Sequence, residues 1–133
     1  MPVQVNMKKM SAVPISKQIA KTQKVFNAFI RKRDKDKGCV SCKSLKVDHA
    51  SHYFSAGKYP ALRFNEDNVH GSCLRCNYFM AGNLLEYRKT LVKRIGNDRL
   101  ELLEGMASRK VHKWSFLELK TIEQEYKKKF KEL

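Results

Sequence analysis

Apolar residues recur at helical spacing in the first quarter of the chain and again across its last third. Between about residues 38 and 83 that rhythm is lost. Ile19, Val25, Phe26, Phe29 and Ile30 share one face of a helix predicted over 16–34, with Ser16 as its N-cap. Phe26 and Phe29 read as core. The opposite face carries Lys17, Lys21, Lys24, Arg31 and Lys32 and stays in water, and Gly38 permits the turn that follows. Residues 1–15, with Pro2, Pro14 and few large apolar side chains, read as a flexible basic arm. Further on, Leu84, Tyr87, Leu91 and Ile95 stripe a helix capped by Asn83 and stopped at Gly96. Asn97 caps a short helix through Gly105, with Leu100 and Leu103 facing inward. Ser115 followed by Glu118 forms a capping box. The final helix runs from there to the C-terminus with an apolar edge of Leu119, Ile122, Tyr126, Phe130 and Leu133. That edge either packs on the chain's own core or pairs with a second copy.

The arrhythmic middle has weak strand signals at 45–48 and 53–55, turns near Ser44 and Gly57, a loop over 56–60 and a polar turn at 65–68. A helix should start near Cys76 or Asn77. What marks this stretch is its cysteines. Cys39 and Cys42 open it, Cys73 and Cys76 close it, and the chain has no others. Two Cys-x-x-Cys pairs read as one four-cysteine zinc site; disulfides and a thiol redox pair are the alternatives. A core this small gains stability from the metal, so zinc binding and folding should be coupled. The expected fold is α+β and mostly helical. It divides into a basic arm (1–15), a basic helix (16–38), a zinc-bound core (39–83) and a helical region (84–133).

Charge narrows the partner. Lys and Arg number 28 against 13 Asp and Glu, a net charge of +15, and residues 1–38 hold ten of the cations against two acids. A polyanion is the expected partner, with nucleic acid ahead of an anionic membrane surface. No 18-residue apolar run and no secretory leader are evident, which points to a cytoplasmic protein with no membrane partner. Nothing suggests a small-molecule substrate.

The stretch between the knuckles carries Asp48, His49, His52, Asn65, Asp67, Asn68 and His70, and Asn77 follows the last cysteine. Hydrolysis of a phosphodiester needs a base for water and a divalent ion for the charge that builds on phosphate. Imidazole titrates near neutrality, and Mg²⁺ takes few protein oxygens. Each residue also has a structural role open to it: Asn68 in a turn, Asn77 as a cap, the histidines as phosphate contacts.

The order CxxC, a histidine-bearing strand, an Asn-Val step and CxxCN resembles the HNH nucleases of the treble-clef, ββα-metal kind. The longer blocks VFNAFIRKRDKDKGCVSC, ASHYFSAGKYPALRFNEDNVHGSCLRCN and GNLLEYRKTLVKRIG resemble the lambdoid-phage NinG, or Rap, recombination proteins over roughly residues 24–105. That resemblance implies a phage-encoded, structure-specific endonuclease acting on branched DNA such as D-loops and Holliday junctions, with duplex DNA also bound. It implies His52 as general base and Asn68 as the residue ordering the loop. His49 and Asn77 would hold one catalytic Mg²⁺ or Mn²⁺ beside the structural Zn²⁺. The family often has Asp-Ala-Gly-His where this chain has HASH, so His49 stands at the Asp position. A second register, with Asp48-His49 as the Asp-His pair and His49 as base, stays open. Lys17, Lys21, Lys24, Arg31, Arg33, Arg63, Arg75 and Arg88, with Lys89, are the candidate DNA contacts. Two nicks per junction imply a homodimer or two monomers. A non-catalytic zinc-dependent DNA-binding module and an RNA endonuclease are the competing readings.

Overall fold

The computed structural model describes residues 13–109 and 111–133; residues 1–12 of the arm predicted over 1–15 lie outside them, and Ile15 already opens a helix. The described residues divide into two compact units, one up to Phe29 with Lys113–Leu133 and the other Ile30–His112.

Helix α1 (Ile15–Asp34), whose residues up to Phe29 belong to the first unit, starts one residue before the predicted Ser16 cap. The carbonyl of Pro14 accepts from the amides of Lys17 and Gln18 at 3.1 and 3.2 Å, so Pro14 holds the helix end. Its missing N–H costs nothing there. Helix α3 (Phe116–Glu132) carries the expected capping box: Ser115 accepts from the Glu118 amide and the Glu118 side chain accepts from the Ser115 amide. The edge of α3 packs on α1. Tyr126 meets Phe26 and Phe29 edge-on, with ring centres 4.7 and 5.0 Å away. Thr22 donates to the Leu119 carbonyl at 3.0 Å. Glu123 is buried beneath Lys21, Lys120 and Lys127. Phe130 and Leu133, at the end of the same edge, stay exposed.

The second unit is built on a hairpin. Strands β1 (His49–His52) and β2 (Val69–Ser72) pair antiparallel, with His49 opposite Ser72 and His52 opposite Val69. The strand signals at 45–48 and 53–55 therefore missed by a few residues on each side. Asp48 and Tyr53 only extend the ladder, through Asp48 N–H to Ser72 and Tyr53 N–H to Asn68. Strand β2 gives no alternating signal because all four residues are buried. Its Gly71 lies so close to α1 and the 45–48 segment that a Cβ would come within 2.5 Å of Val47 and 3.0 Å of Asp34.

After β2 the chain makes one π-helical turn, Arg75–Phe79, where a regular helix was expected. Helix α2 (Leu84–Ala107) follows and bends at Gly96, whose φ of 82° and ψ of 163° break the helix at the predicted stop. Tyr87, Leu91, Ile95, Leu100, Leu103 and Ala107 of α2 form the core with Val40 and Leu62. Leu84, placed on the apolar stripe by its spacing, is instead exposed. The protein is a small, mostly helical α+β structure. Among the described residues no helix is long and apolar enough to cross a membrane.

Candidate metal centre and adjoining cleft

The first knuckle follows the turn at the end of α1, where Gly38, at φ 77°, feeds Cys39. Cys39 N–H donates to the Ser44 carbonyl at 2.7 Å, closing the knuckle. The second knuckle joins β2 to the π turn. All four sulfurs lie within 4.8 Å of one another. Cys42 and Cys73 Sγ are 3.7 Å apart, close to the ~3.8 Å edge of a tetrahedron with ~2.3 Å zinc–sulfur bonds. Hydrogen bonds from Ser44 lower the Cys42 thiol to about 6, while burial pushes Cys76 up to about 12. Four thiolates this close repel one another, and a divalent cation is what lets all four ionise. The donor set and spacing fit Zn²⁺. Among the described residues this is the one group of three or more such ligands that converges on a point.

Beside the centre is an open cleft of about 780 Å³. It is lined by Lys46, Asp48, His49, Leu74, Arg75 and Phe79 with Cys42, Ser44 and Cys73. Asp48 accepts from the Leu74 amide at 3.0 Å. His49 Nδ1 lies 2.8 Å from the Asn77 side-chain nitrogen. The structure thus joins His49 and Asn77 from positions 28 residues apart. Across the ladder from His49, the Ser72 hydroxyl is buried without a hydrogen bond.

His52 lies elsewhere. Alternation along β1 sends His49 and Ser51 to one face and Ala50 and His52 to the other. His52 Nε2 is 2.9 Å from the Arg63 carbonyl, which fixes Nε2 as the protonated nitrogen and leaves Nδ1 with its lone pair. Burial lowers its pKa, so the ring is neutral at pH 7. Asn68 is fully buried and ties the loop together. It accepts from Phe54 N–H at 2.8 Å and donates to the carbonyls of Phe54 and Leu62 at 2.9 and 3.1 Å.

His70 belongs to a different cluster. Asp34, at the end of α1, is bound by Arg33 at 2.7 and 2.9 Å and by the Gly71 amide at 2.8 Å. Arg94 of α2 approaches it at 3.5 Å and His70 at 3.8 Å. Burial works against the charge on Asp34, but the Arg33 contacts outweigh it and hold the carboxyl at about 2. Burial first, then Arg33, drops His70 to about 4. Its Nε2 donates to the Asp67 carbonyl at 3.0 Å, and Nδ1 faces the Arg33 and Arg94 guanidiniums. Tyr87 completes this interior, its hydroxyl donating to the Ser51 carbonyl at 2.7 Å.

The candidate DNA contacts divide. Lys17, Lys21, Lys24, Arg75, Arg88 and Lys89 are exposed, and Arg31 and Arg63 are half-buried. Lys21 pairs with Glu123, Arg88 with Glu104 and Lys89 with Glu86. Arg33 points inward, where it also donates to the carbonyls of Glu66 and Val69. The sequence reading passed over Lys46, Phe79 and Arg94. Lys46 and Phe79 stand four and three residues from Cys42 and Cys76, a spacing that marks them as neighbours of the metal centre.

Fold and site define a small α+β protein whose four cysteines stand close enough to hold a zinc ion, with an open cleft beside them where Lys46, Asp48, His49 and Arg75 meet Leu74 and Phe79. The chain belongs to the NinG family: the family model described as Bacteriophage Lambda NinG protein matches residues 3–133. It is similar to protein ninG of Escherichia phage lambda, at 41% identity over 128 residues, 95% of this chain and 62% of that protein. It is similar to protein ninG of Salmonella phage P22, at 40% over 128 residues, again 95% and 62%. Protein ninG of Enterobacteria phage H19B is 37% identical over 131 residues, covering 97% and 64%. The chain thus spans a little under two thirds of the length of these relatives. No solved structure matches it.

Proposed function

We propose that the protein is a metal-dependent endonuclease of the HNH kind that hydrolyses phosphodiester bonds in branched DNA. One observation carries the reading: His49 and Asn77 meet at 2.8 Å beside the cysteine centre, at a cleft lined by Asp48, Lys46 and Arg75. The sequence of knuckle, hairpin, knuckle and helical turn supports a treble-clef, ββα-metal arrangement. The branched substrate rests on the resemblance to NinG and Rap proteins.

His49 and Asn77 offer one imidazole nitrogen and one carboxamide oxygen, a set that suits a single divalent ion with water and phosphate completing its shell. Such an ion, when bound, would stabilise charge on the phosphate and on the leaving oxygen. Lys46 and Arg75 would hold the neighbouring phosphates. His52, neutral and with Nδ1 unprotonated, would take the proton as water attacks phosphorus and the bond to the leaving sugar oxygen breaks. Asn68 acts through the backbone, fixing the loop that supplies the Arg63 carbonyl to His52. Strand alternation favours a second assignment, because it separates His52 from the His49–Asn77 pair. There His49 is the base, and Asp48 joins Asn77 as metal ligand.

The test is nicking of branched DNA with Mg²⁺ or Mn²⁺. His52→Ala should slow cleavage by ~100-fold or more with the circular dichroism spectrum unchanged. Asn77→Ala should raise the metal concentration needed. Wild-type rates in His52→Ala, with loss in His49→Ala, would move the base to His49. A wild type that binds but never cuts on any branched substrate makes the chain a zinc-dependent binding module. Faster cutting of matched RNA junctions makes it an RNA endonuclease.

A further inference from the structure

Tyr78 and Phe79 are 73% and 72% exposed. Most of the other aromatic rings are hidden. Phe26, Phe29, Phe64, Tyr87, Phe116 and Tyr126 are buried, and Tyr53, Phe54 and Tyr59 pack against the core. Among the described aromatics the next most exposed, Phe130, is only 38% exposed. Burying such rings stabilises a fold, so leaving two adjacent ones in water works against stability.

The two rings form a unit, centres 5.1 Å apart and planes at 79°, so that one presents its face beside the edge of the other. They occupy the π turn directly after Asn77. Phe79 lines the same cleft as Lys46, His49 and Arg75.

The turn is held rigidly. Met80 N–H donates to Arg75 at 3.0 Å, and Gly82 N–H donates to Cys76 at 2.8 Å. Ser41 of the first knuckle donates to the Gly82 carbonyl at 2.9 Å. The Asn83 side chain reaches Cys76 Sγ at 3.7 Å. Ala81, Gly82 and Asn83 sit at φ 48°, 90° and 50°, in the left-handed region where side chains other than glycine's are strained. Strain persists where the surroundings over-determine it, and a pre-set contact surface loses little freedom on binding.

We propose that Tyr78 and Phe79 are a stacking platform for an unpaired DNA base at the rim of the cleft. The inference rests on the reading of the cleft as a DNA site and adds what that site distinguishes. A single nucleotide is a flat apolar face joined to a phosphate. The rim offers its complement: the Phe79 ring, with Tyr78 against it, and the cations Arg75 and Lys46 lining the same cleft. In duplex DNA every base face is covered by its neighbours, so a platform of this kind engages only a base at a branch point, a frayed end or a gap. It selects branched over continuous duplex without reading sequence.

The test measures binding, not cutting, with Ca²⁺ in place of Mg²⁺. The probes are a splayed junction carrying 2-aminopurine at the first unpaired position and a fully paired duplex of equal length. Wild type should quench the 2-aminopurine. The doubly substituted Tyr78→Ala, Phe79→Ala protein should bind the junction about tenfold more weakly and the duplex within twofold of wild type, with quenching lost. Tyr78→Trp with Phe79→Trp should restore both. Equal losses on both probes, no loss on either, or full affinity in the Tyr78→Leu, Phe79→Leu protein would overturn the platform. So would a double variant that changes sedimentation mass but not DNA binding, which makes the patch a contact with a second copy. A wild type that quenches the probe but never cuts keeps the platform and ends the nuclease reading. A wild type that cuts, with a double variant that binds normally, ends the platform alone.

Discussion

His49 and His70 stand on adjacent four-residue strands of one hairpin, and their surroundings share little. His70 is buried, each ring nitrogen faces a partner, and the groups around it, Arg33, Asp34 and Arg94, come from two helices. His49 is half-exposed at an open cleft, with one nitrogen on Asn77. One cluster has its hydrogen-bonding capacity met from within; the other keeps capacity for an ion or a phosphate. A buried charged group is stable only when its partners surround it, whereas a site for an outside ligand must leave valences open. The comparison teaches that residue type and position along a strand do not tell a structural histidine from a chemical one. Completeness of the surrounding shell does.

The largest test removes the metal from under both clusters. Full zinc extraction should unfold residues 30–112, since zinc-finger peptides draw roughly 10–16 kcal/mol from their ion. Circular dichroism and a thermal melt before and after extraction report it, and an unchanged spectrum would sink the structural role of zinc. Next comes the buried carboxylate. Asp34→Ala leaves Arg94 and Arg33 partly buried with only Glu66, 4.0 Å from Arg33, as a remaining counter-charge, and should cost about 3 kcal/mol in urea denaturation. His49→Ala, at the open cluster, should stay within about 1 kcal/mol of wild type. Equal effects would erase the distinction drawn here. Of similar size is the pH term. With His70 held at about 4 against an ordinary 6.5, the unfolded chain binds a proton that the folded one refuses between those values. Stability should therefore fall as pH drops from about 6.5 toward 4, by about 3 kcal/mol. Asp34, held at about 2, extends the loss below its ordinary 3.8. His70→Gln should flatten the upper part of that slope, read as the difference from wild type across a pH series.

Much of the helical frame was legible because its signals are local. The Ser115–Glu118 box and the Gly96 break depend on residues a turn apart, and both lie where the spacing puts them. The cysteine centre was legible because two knuckles have one economical use. The hairpin was not. Strand β2 is buried on both faces and holds a glycine that only a close approach explains, so it carries no alternation. Arg33 looked like one more surface cation. Its inward turn depends on Asp34 and on carbonyls 33 and 36 residues away, which no local pattern reveals. The meeting of His49 with Asn77 depends on the metal knuckle that folds the chain back, and the exposure of Tyr78 and Phe79 on a turn that failed to become a regular helix.

The hydrogen bond from Thr22 to the Leu119 carbonyl spans 97 residues. It sets an order of events during synthesis. Residues 30–112 are contiguous and can collapse as they leave the ribosome, whereas the α1–α3 pair waits for the last helix. Until then Phe26 and Phe29 lack the Tyr126 ring that covers them. A nascent chain stalled before residue 116 is therefore a species with its four cysteines already in reach of one another and an uncovered apolar helix, the form most exposed to chaperones and proteases.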